Sequence, residues 1–302
     1  MFDYRYHALS LAAVLLALAV GIVIGVAIGD SNLVSSAKSG IVRDLSAEVG
    51  AAQRQTGQLR AQLSAEEAFA NDLYPIAVHG LLRGRSIGLL FLGNASDRLD
   101  GLVRDAVSQA GGDVTTVVAV REPLDLAGLA RDAAGTRFAA LGEPATSGAA
   151  GAQLVERFGA LAGKQLVSGG QAIGHELLSR ASSHLLSAFD GQLGKLEGLA
   201  VVRAEPAGMV PEAAQSANAL ESGLVRGVSD IGVPIVGVEQ TGTEPSQVPW
   251  YQGQGISSVD DLDATAGRAA LAYALAGARG SYGVKGTANS LLPAVAAASG
   301  HA

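Results

Sequence analysis

Three carboxylates stand close together near the C-terminal end of the sequence, in the run SSVDDLD that starts at Ser257. Carboxylate oxygens are the ligands that hard cations prefer, so Asp260, Asp261 and Asp263 form a candidate polar site for a cation or a polar contact. The run also precedes a predicted helix, where Ser and Asp accept hydrogen bonds from free backbone N–H groups. We prefer this helix-start interpretation and keep the polar site as its alternative.

Other metal-ligand types are scarce or dispersed. No HExxH motif or close pair connects the five histidines, which are His7, His79, His175, His184 and His301. Soft Cu(I) ligands are limited to two methionines, because the chain contains no cysteine. The absence of cysteine also excludes disulfides and cysteine nucleophiles. We therefore assign no metal ligand and predict no cofactor.

The chain lacks the motifs of common nucleotide-binding and hydrolytic sites. The turn after the first predicted strand reads Gly93-Asn94-Ala95-Ser96-Asp97, without the G-x-G-x-x-G spacing that brings backbone to a pyrophosphate. No phosphate-binding loop and no G-x-S-x-G nucleophile elbow occurs. We predict that the protein is not an enzyme, and an exported enzyme without a recognisable motif is the alternative.

Charge argues against a nucleic-acid partner. Lys and Arg total 21 and Asp and Glu total 28, which gives a net charge of -7. No segment gathers the basic cluster that binding to a phosphate backbone requires. We therefore predict no nucleic-acid partner.

The N-terminal segment from Ala8 to Gly29 contains no charged residue. At a helical rise of about 1.5 Å per residue it spans roughly 33 Å, which is enough to cross the hydrocarbon core of a bilayer. We predict that residues 1–30 form a single transmembrane anchor. A cleaved signal peptide is the alternative, since Ala27-Ile28-Gly29 imitates a cleavage site, but its apolar region is usually only about 7 to 15 residues long.

Small residues recur every four positions in this anchor, at Ala13, Ala17, Gly21, Gly25 and Gly29. The spacing places them on one face of a helix and allows a second backbone to approach closely. Gly21, Gly25 and Gly29 are therefore candidate oligomerisation residues. The alternative is that the pattern reflects the high Ala and Gly content of the chain.

Residues 31–75 are predicted to form a coiled-coil stalk. Apolar residues alternate three and four positions apart, which is the a/d spacing of a coiled coil. Pro75 disfavours helix at Tyr74 and is predicted to end the stalk. With the anchor, this seam predicts a parallel homodimer, and a lone helix packed on its own domain is the alternative. The candidate interface residues of the stalk are Leu45, Val49, Leu59 and Leu63.

Residues 85–286 are predicted to form an α/β domain. Ile87 to Leu92 and Val114 to Val120 have the pattern of buried strands, and Asp97 to Ala110 has helical spacing, so the domain begins with a βαβ unit. Strands that are apolar on both faces indicate a parallel sheet covered by helices.

The remainder of the domain follows the same logic. Strands are predicted at Leu199 to Val202 and at Pro234 to Val238, with a short strand around Phe138 to Leu141 and a last helix from about Thr265 to Ala276. Residues 124–198 are otherwise predicted to be helical and loop-like. Residues 287–302 are low in complexity and are predicted to form a disordered tail.

These segments together resemble the actinobacterial copper transporter family, also called mycobacterial copper transport protein B. The most specific parts are the run H-A-x-S-L-A-A-V-x-L-A-L-A-x-G from His7 and the run S-V-D-D-x-D from Ser258. The stalk and the unit RSIGLLFLGNASDRLDGLVRDAVSQAGGDVT from Arg85 lie between them in the family's order. The resemblance covers most of the chain.

The resemblance implies a single-pass protein of the cell membrane whose C-terminal domain lies outside the cytoplasm, with a role in copper efflux and homeostasis. Copper is a partner through the resemblance alone. The alternative function is a non-catalytic coiled-coil scaffold that recruits or regulates envelope proteins, such as cell-wall or division factors. Any transport would need an oligomer or partner proteins, because one transmembrane helix cannot form an aqueous pore.

Overall fold

The structure, a computed structural model, describes residues 4–29, 31–142, 149–169, 175–204 and 208–294. The chain divides into two units, Met1–Glu67 and Ala68–Ala302. Helix α1 (Tyr4–Ile28) lies in the first unit, and helix α2 (Ser31–Val78) begins there. Within the described residues, one segment, Arg5–Ala27, is long and apolar enough to cross a membrane, and none of it is buried. This segment matches the predicted anchor.

Helix α2 does not end where the sequence predicts. It runs for 48 residues and continues through Pro75 to Val78. The prediction that Pro75 ends the helix is wrong because the last turn is packed into the domain, with Tyr74 and Val78 exposed by only 7% and 0%. The hydroxyl of Tyr273 also donates to the carbonyl oxygen of Ala77 at 2.9 Å, which satisfies one of the free carbonyls at the helix end.

The second unit is built on a seven-stranded sheet with the strand order β3-β2-β1-β4-β5-β6-β7. All neighbouring strands are parallel except β3, which is antiparallel to β2. The prediction of an α/β domain with a parallel sheet is therefore confirmed except at the antiparallel edge strand β3. The strands are β1 (Ser86–Leu92), β2 (Asp113–Val120), β3 (Leu186–Gly191), β4 (Gly198–Arg203), β5 (Ile235–Val238), β6 (Ser257–Val259) and β7 (Ser281–Tyr282).

Helices cover both faces of this sheet. One face packs against the end of α2, α3 and α9, and the other packs against α4 to α8 and a short 3₁₀ helix at Arg137–Gly142. Alternate residues of β1 point to opposite faces: Leu89 and Phe91 lie in one core and Leu90 in the other. The domain helices are α3 (Asp97–Gln109), α4 (Leu126–Asp132), α5 (Ala149–Ser168), α6 (His175–Leu185), α7 (Pro211–Ser229), α8 (Val248–Gly253) and α9 (Thr265–Leu275).

Helices α5 and α7 touch backbone to backbone. Gly159 and Gly163 on α5 face Gly223 and Gly227 on α7, and a side-chain carbon built on any of the four would collide with backbone atoms of the other helix. Small residues four positions apart allow this approach because they leave the meeting surfaces flat.

The segment between β2 and β4 departs most from prediction. Phe138 to Leu141 lies in the 3₁₀ helix and not in a strand, because Phe138 and Leu141 are spaced by one 3₁₀ turn and are both buried. Strand β3 was not predicted. It follows α6 directly, with no crossover residues, and its side chains from Ser187 onward are exposed, so the segment lacks the buried apolar pattern of the other strands.

The chain after β7 remains part of the domain for several residues. Asn289 exchanges hydrogen bonds with Ser281 through backbone and side chain, and Ser290 forms a bridge with Tyr282. Pro293 is buried. The first part of the predicted disordered tail, up to Pro293, therefore makes contacts within the domain. Its residues 295–302 lie outside the described residues.

Candidate functional site

Charged side chains follow the carboxyl ends of the parallel strands. Glu122 comes two residues after β2, Arg203 is the last residue of β4, and Glu239 directly follows β5. Asp260 and Asp261 follow β6 in the same way. Parallel strands end at one edge of the sheet, and ligands of open α/β sheets bind outside this edge where the strand order reverses. Here that point lies between β1 and β4.

Arg203 is buried at this point, with an exposed fraction of 7%. Its Nε donates to Glu221 Oε2 at 2.8 Å, its Nη2 donates to Asn218 Oδ1 at 2.7 Å, and its Nη1 donates to Gln247 Oε1. The guanidinium carbon lies 4.8 Å from the centroid of the Trp250 ring. Helix α7 supplies the first two partners, and the start of α8 supplies the others. Arg203 is therefore a fixed cation between two helices and the sheet edge.

Glu122 and Glu221 bring two carboxyl groups together beside Arg203. Glu221 is only 1% exposed. Burial, and then the hydrogen bond and negative charge of Glu221, raise the pKa of Glu122 to about 7, although Arg203 opposes the shift. Among the described residues no hydrogen-bond donor reaches Oε1 of either carboxyl. Burial and the neighbouring carboxyl therefore favour the protonated form of Glu122.

Gly93 closes the turn after β1 next to this pair. It has a backbone φ of 106°, which residues other than glycine rarely adopt. A side-chain carbon at this position would also lie 3.1 Å from Oε2 of Glu122. The glycine therefore keeps both the turn and the space beside the carboxyl pair.

A second ion pair lies further along the same edge. Glu239 is 2% exposed and pairs with the ammonium of Lys285 at 2.6 Å. It also accepts from the Ser246 hydroxyl at 2.7 Å and from the backbone N–H of Gln247 at 2.6 Å. The Lys285 ammonium donates in addition to the carbonyl oxygen of Thr243 at 2.7 Å. Because the Gln247 side chain also bonds Arg203, the two charged groups form one continuous network.

The three predicted aspartates lie beside this network but point to different partners. Asp260 is fully buried, and its Oδ1 accepts from the backbone N–H of Val284 at 2.8 Å. Asp263 accepts through Oδ1 from the backbone N–H of Thr241 at 2.8 Å and from the hydroxyl of the same residue at 3.0 Å. These bonds tie neighbouring loops to the end of β6.

Asp261 is the least satisfied of the three. It is 1% exposed, and neither carboxylate oxygen has a hydrogen-bond partner among the described residues. Burial, reinforced by the negative charges of Asp260 and Asp263, raises its pKa to about 6. The helix-start interpretation is wrong about capping by Ser or Asp. The N-cap of α9 is Ala264, and among the described residues no side chain caps the helix.

The histidines do not converge in the part of the chain that the structure describes. His7 and His79 are exposed, whereas His184 on α6 has its Nδ1 2.6 Å from Oδ2 of Asp132 and its Nε2 3.6 Å from Oδ2 of Asp125. His301 and the side chain of His175 lie outside the described residues. No group of three or more His, Cys, Asp or Glu side chains is placed to hold a metal ion within the described residues.

The predicted oligomerisation residues lie on exposed surfaces of the first unit. A side-chain carbon built on Gly21 or Gly25 would meet no atom within 4 Å. The stalk residues Leu45, Val49, Leu59 and Leu63 have exposed fractions of 48% to 59%. The structure therefore leaves the glycine face of α1 and the apolar seam of α2 available for contacts with another helix.

Sequence reasoning missed the charged network itself. Arg203 and Glu239 each terminate a short, wholly apolar run, and such a charge at the carboxyl end of a buried strand is a usable signal. Glu221 was harder to find, because it lies within the apolar face of α7 and becomes recognisable only when Arg203 is placed opposite it.

The network presents buried cations and carboxylates in fixed positions at the sheet edge. Ligands of open α/β sheets bind outside this edge, so the network is the candidate site of the domain.

Comparison with known proteins gives a consistent result. A protein family described as "Copper transport outer membrane protein, MctB" matches residues 1–293. Copper transporter MctB of Mycobacterium tuberculosis (strain ATCC 25618 / H37Rv) and that of Mycobacterium bovis (strain ATCC BAA-935 / AF2122/97) are each 38% identical to this chain over 122 residues. Copper transporter MctB of Mycobacterium leprae (strain TN) is 34% identical over the same length.

These relatives share only part of their length with the chain. Each alignment covers 40% of this chain and 38% of the relative. The family match is much longer, and it includes α1, α2 and every strand of the sheet. On this match, the chain belongs to the MctB family.

Proposed function

We propose that this protein is anchored in the cell membrane by α1 and acts in copper efflux and homeostasis from an α/β domain outside the cytoplasm. The observation that carries the proposal is the family match over residues 1–293, whose description names copper transport. The apolar segment Arg5–Ala27 supports the single-pass anchor. Because one helix cannot enclose an aqueous path, we propose that the protein acts with further copies or partner proteins.

The orientation has a direct test. A reporter that is active only outside the cytoplasm, fused after Ala302, should be active in intact cells, and mass spectrometry of the membrane fraction should find the intact N-terminus. Reporter activity confined to the cytoplasm would reject the orientation. A mature chain that starts near Asp30 would show that α1 is a cleaved signal peptide.

The copper role is tested in a deletion strain. Loss of the gene should lower the highest copper concentration at which the strain grows. The full-length gene should restore this tolerance when the protein reaches its wild-type level in the membrane. Unchanged growth at every copper concentration would contradict the proposal. Zinc in place of copper provides the control for general metal stress.

We assign the charged network at the carboxyl edge as the site through which the domain acts. Glu122→Gln preserves shape while removing the titrating carboxyl, so it should reduce rescue of the deletion strain several-fold. The matched control is Glu212→Gln, which changes an exposed glutamate in the first turn of α7. Equal rescue by both variants would separate the network from the function.

The second candidate function is a scaffold that recruits or regulates cell-wall or division proteins. The observation that favours it is the exposed apolar seam of α2, since Leu59 and Leu63 are each 57% exposed in a single chain. The deletion strain distinguishes the two functions. Copper hypersensitivity with normal septa favours homeostasis, and abnormal septa with normal copper tolerance favours the scaffold.

A parallel homodimer is common to both functions. The glycine face of α1 would bring two anchors together, and the high local concentration of the two chains would then favour closure of the weak seam of α2. The exposed positions of Gly21, Gly25, Leu59 and Leu63 support this proposal.

A further inference from the structure

We propose that a cavity beside β3 binds the acyl chain of a membrane lipid. The cavity lies between α5, α6 and the sheet face formed by β1 and β2, and its volume is about 440 Å³. This volume falls within the roughly 300 to 1,000 Å³ of small-molecule sites. None of its lining residues belongs to the charged network, so the proposal goes beyond the copper role and does not depend on it.

The walls of the cavity are mostly apolar, and the polar residues that line it are Gln165 and four serines. Leu90 and Val118 form part of its floor on the sheet, Leu166 and Leu178 line it from α5 and α6, and Leu224 lines it from α7. Among the described residues, no Asp, Glu, Lys, Arg or His side chain lines it. A metal ion or a compact anion would lose its hydration there without gaining a charged partner, whereas an apolar chain would gain contacts.

Two of the four serine hydroxyl groups in the wall donate to backbone carbonyl oxygens. The Ser182 hydroxyl donates to the carbonyl oxygen of Ser179 at 2.8 Å, and the Ser187 hydroxyl donates to that of Ala119 at 3.3 Å. Their protons are therefore used locally, and the surface that they offer to a ligand is only weakly polar. This favours a ligand that makes few hydrogen bonds inside the cavity.

The mouth of the cavity lies beside the outer edge of the sheet. Phe189 on β3 and Leu193 just after it line the cavity and are also exposed by 46% and 44%. Large apolar side chains that are both lining and exposed mark the path by which a hydrocarbon chain could enter.

The chemistry of the surroundings selects the occupant. A protein that is anchored through the apolar span Arg5–Ala27 encounters membrane lipids as a source of hydrocarbon chains. A free fatty acid would bring a carboxylate, and no cationic side chain among the described residues lines the cavity to pair with it. An esterified chain brings no charge into the cavity, and we therefore infer that the occupant is a lipid acyl chain.

Photocrosslinking of the full-length protein in vesicles tests this inference. The vesicles contain phosphatidylcholine with a diazirine on one acyl chain, and adducts are mapped by mass spectrometry after irradiation. Adducts should form on peptides that cover residues 178–189, and also on α1, which serves as the internal reference for reconstitution. Adducts on α1 alone would overturn the proposal.

Two variants fill the cavity from opposite walls. Ala162→Phe from α5 and Ser182→Trp from α6 should each lower the adducts on residues 178–189 about fivefold while those on α1 stay constant. Ala150→Phe is the matched control, because Ala150 is an exposed residue of α5 outside the cavity. Circular dichroism shows which variants fold, and wild-type adducts that persist in a folded, filled variant would reject the site.

A separate experiment distinguishes a phospholipid acyl chain from a free fatty acid. A free fatty acid with the same diazirine chain is added to unlabelled vesicles at the same molar ratio. The proposal expects cavity adducts from the labelled phospholipid at least as strong as those from the labelled fatty acid. Cavity adducts from the fatty acid with none from the phospholipid would overturn the assignment to membrane lipid.

Discussion

The same spacing of small residues occurs in two regions with different surroundings. On α5 and α7, glycines four positions apart face each other, and the two backbones touch within one chain. On α1, Gly21 and Gly25 have the same spacing, but among the described residues no atom lies within 4 Å of a side-chain carbon built there. The spacing therefore predicts that a helix can be approached closely, and the rest of the chain decides whether the approaching helix is its own.

Helix α3 of the domain and helix α2 of the predicted stalk show the same contrast for larger apolar residues, which are buried in one and exposed in the other. Val103 and Val107 of α3 are buried against the sheet, whereas Leu59 and Leu63 of α2 have similar helical spacing and remain exposed. Apolar stripes in the second unit are thus satisfied by the fold. Those of α1 and α2 in the first unit are exposed in the single chain.

The largest effect is expected where the helix partner belongs to the same chain. Gly163→Leu places bulk against the backbone of Leu224, so it should destabilise the protein by about 3 kcal/mol or more. Thermal and urea denaturation of the full-length protein in detergent would measure this loss. Gly101→Leu on α3 is the control, since no atom lies within 4 Å of the added side-chain carbon, and a loss as large as that of Gly163→Leu would refute the close-contact explanation.

The next effect concerns the stalk, where the proposed partner is another copy. Leu59→Asp with Leu63→Asp places like charges in the seam, so crosslinking of the dimer should fall by about tenfold. A cysteine introduced as Gln62→Cys reports the change with a bismaleimide, because the chain has no other cysteine.

The matched control for the stalk is Ala61→Asp with Ala65→Asp, which adds the same charges outside the seam. This control should leave crosslinking near the wild-type level. If the seam variant and the control crosslink equally, the heptad pattern does not describe an interface.

A smaller effect is expected in the membrane. Gly21→Leu with Gly25→Leu should weaken the dimer by about 1 kcal/mol, or roughly fivefold, because the two backbones can no longer meet. Membrane content should stay constant, since leucine is favourable in hydrocarbon. Förster transfer between labelled chains in vesicles gives the measurement, with Ala19→Leu as the control outside the small-residue face, and unchanged transfer would assign the pattern to composition.

The smallest effect is a pH dependence within the domain. The folded pKa of Glu122 is about 7, above the ordinary value of 4.5. Its contribution to stability is therefore fully present below pH 4.5 and is lost as the pH rises through 7, because the unfolded state releases this proton first. Glu122→Gln keeps a neutral group, so it should gain about 1 kcal/mol relative to wild type at pH 8, after allowance for partial exposure.

Denaturant unfolding between pH 5 and pH 8 checks this prediction. The stability difference between Glu122→Gln and wild type should grow with pH, whereas that between Glu212→Gln and wild type should stay flat. A difference that does not change with pH would show that the carboxyl pair does not share a proton in the folded protein.

The sequence predicts those elements whose pattern is local. The first βαβ unit, β4, β5 and α9 lie close to their predicted positions, because long apolar runs and helical spacing specify them without reference to the rest of the chain. Strand β3 has no such pattern, and it is recognisable only by its antiparallel pairing with β2, which is distant in sequence. The continuation of α2 through Pro75 likewise depends on contacts of Tyr74 and Val78 that only the tertiary fold provides.

The candidate site divides in the same way. The aspartate run was recognisable as a cluster, yet its three side chains have separate partners, because Asp260 and Asp263 bond to loops distant in sequence. The pairing of Arg203 with Glu221 joins a strand to a helix, and neither the residue types nor their spacing in the sequence predicts it. Local composition thus indicates where charge lies, and topology determines which charges meet.

The contacts that follow β7 set the limits of any fragment prepared for biochemical study. A fragment that ends at Gly286 would retain Lys285 but lose Asn289 and Ser290, which hold β7 at the edge of the sheet. A fragment that starts at Arg85 would lose Tyr74 and Val78 from the core. Recombinant versions of the domain should therefore start well before Tyr74 and end after Pro293, and affinity tags belong beyond these points.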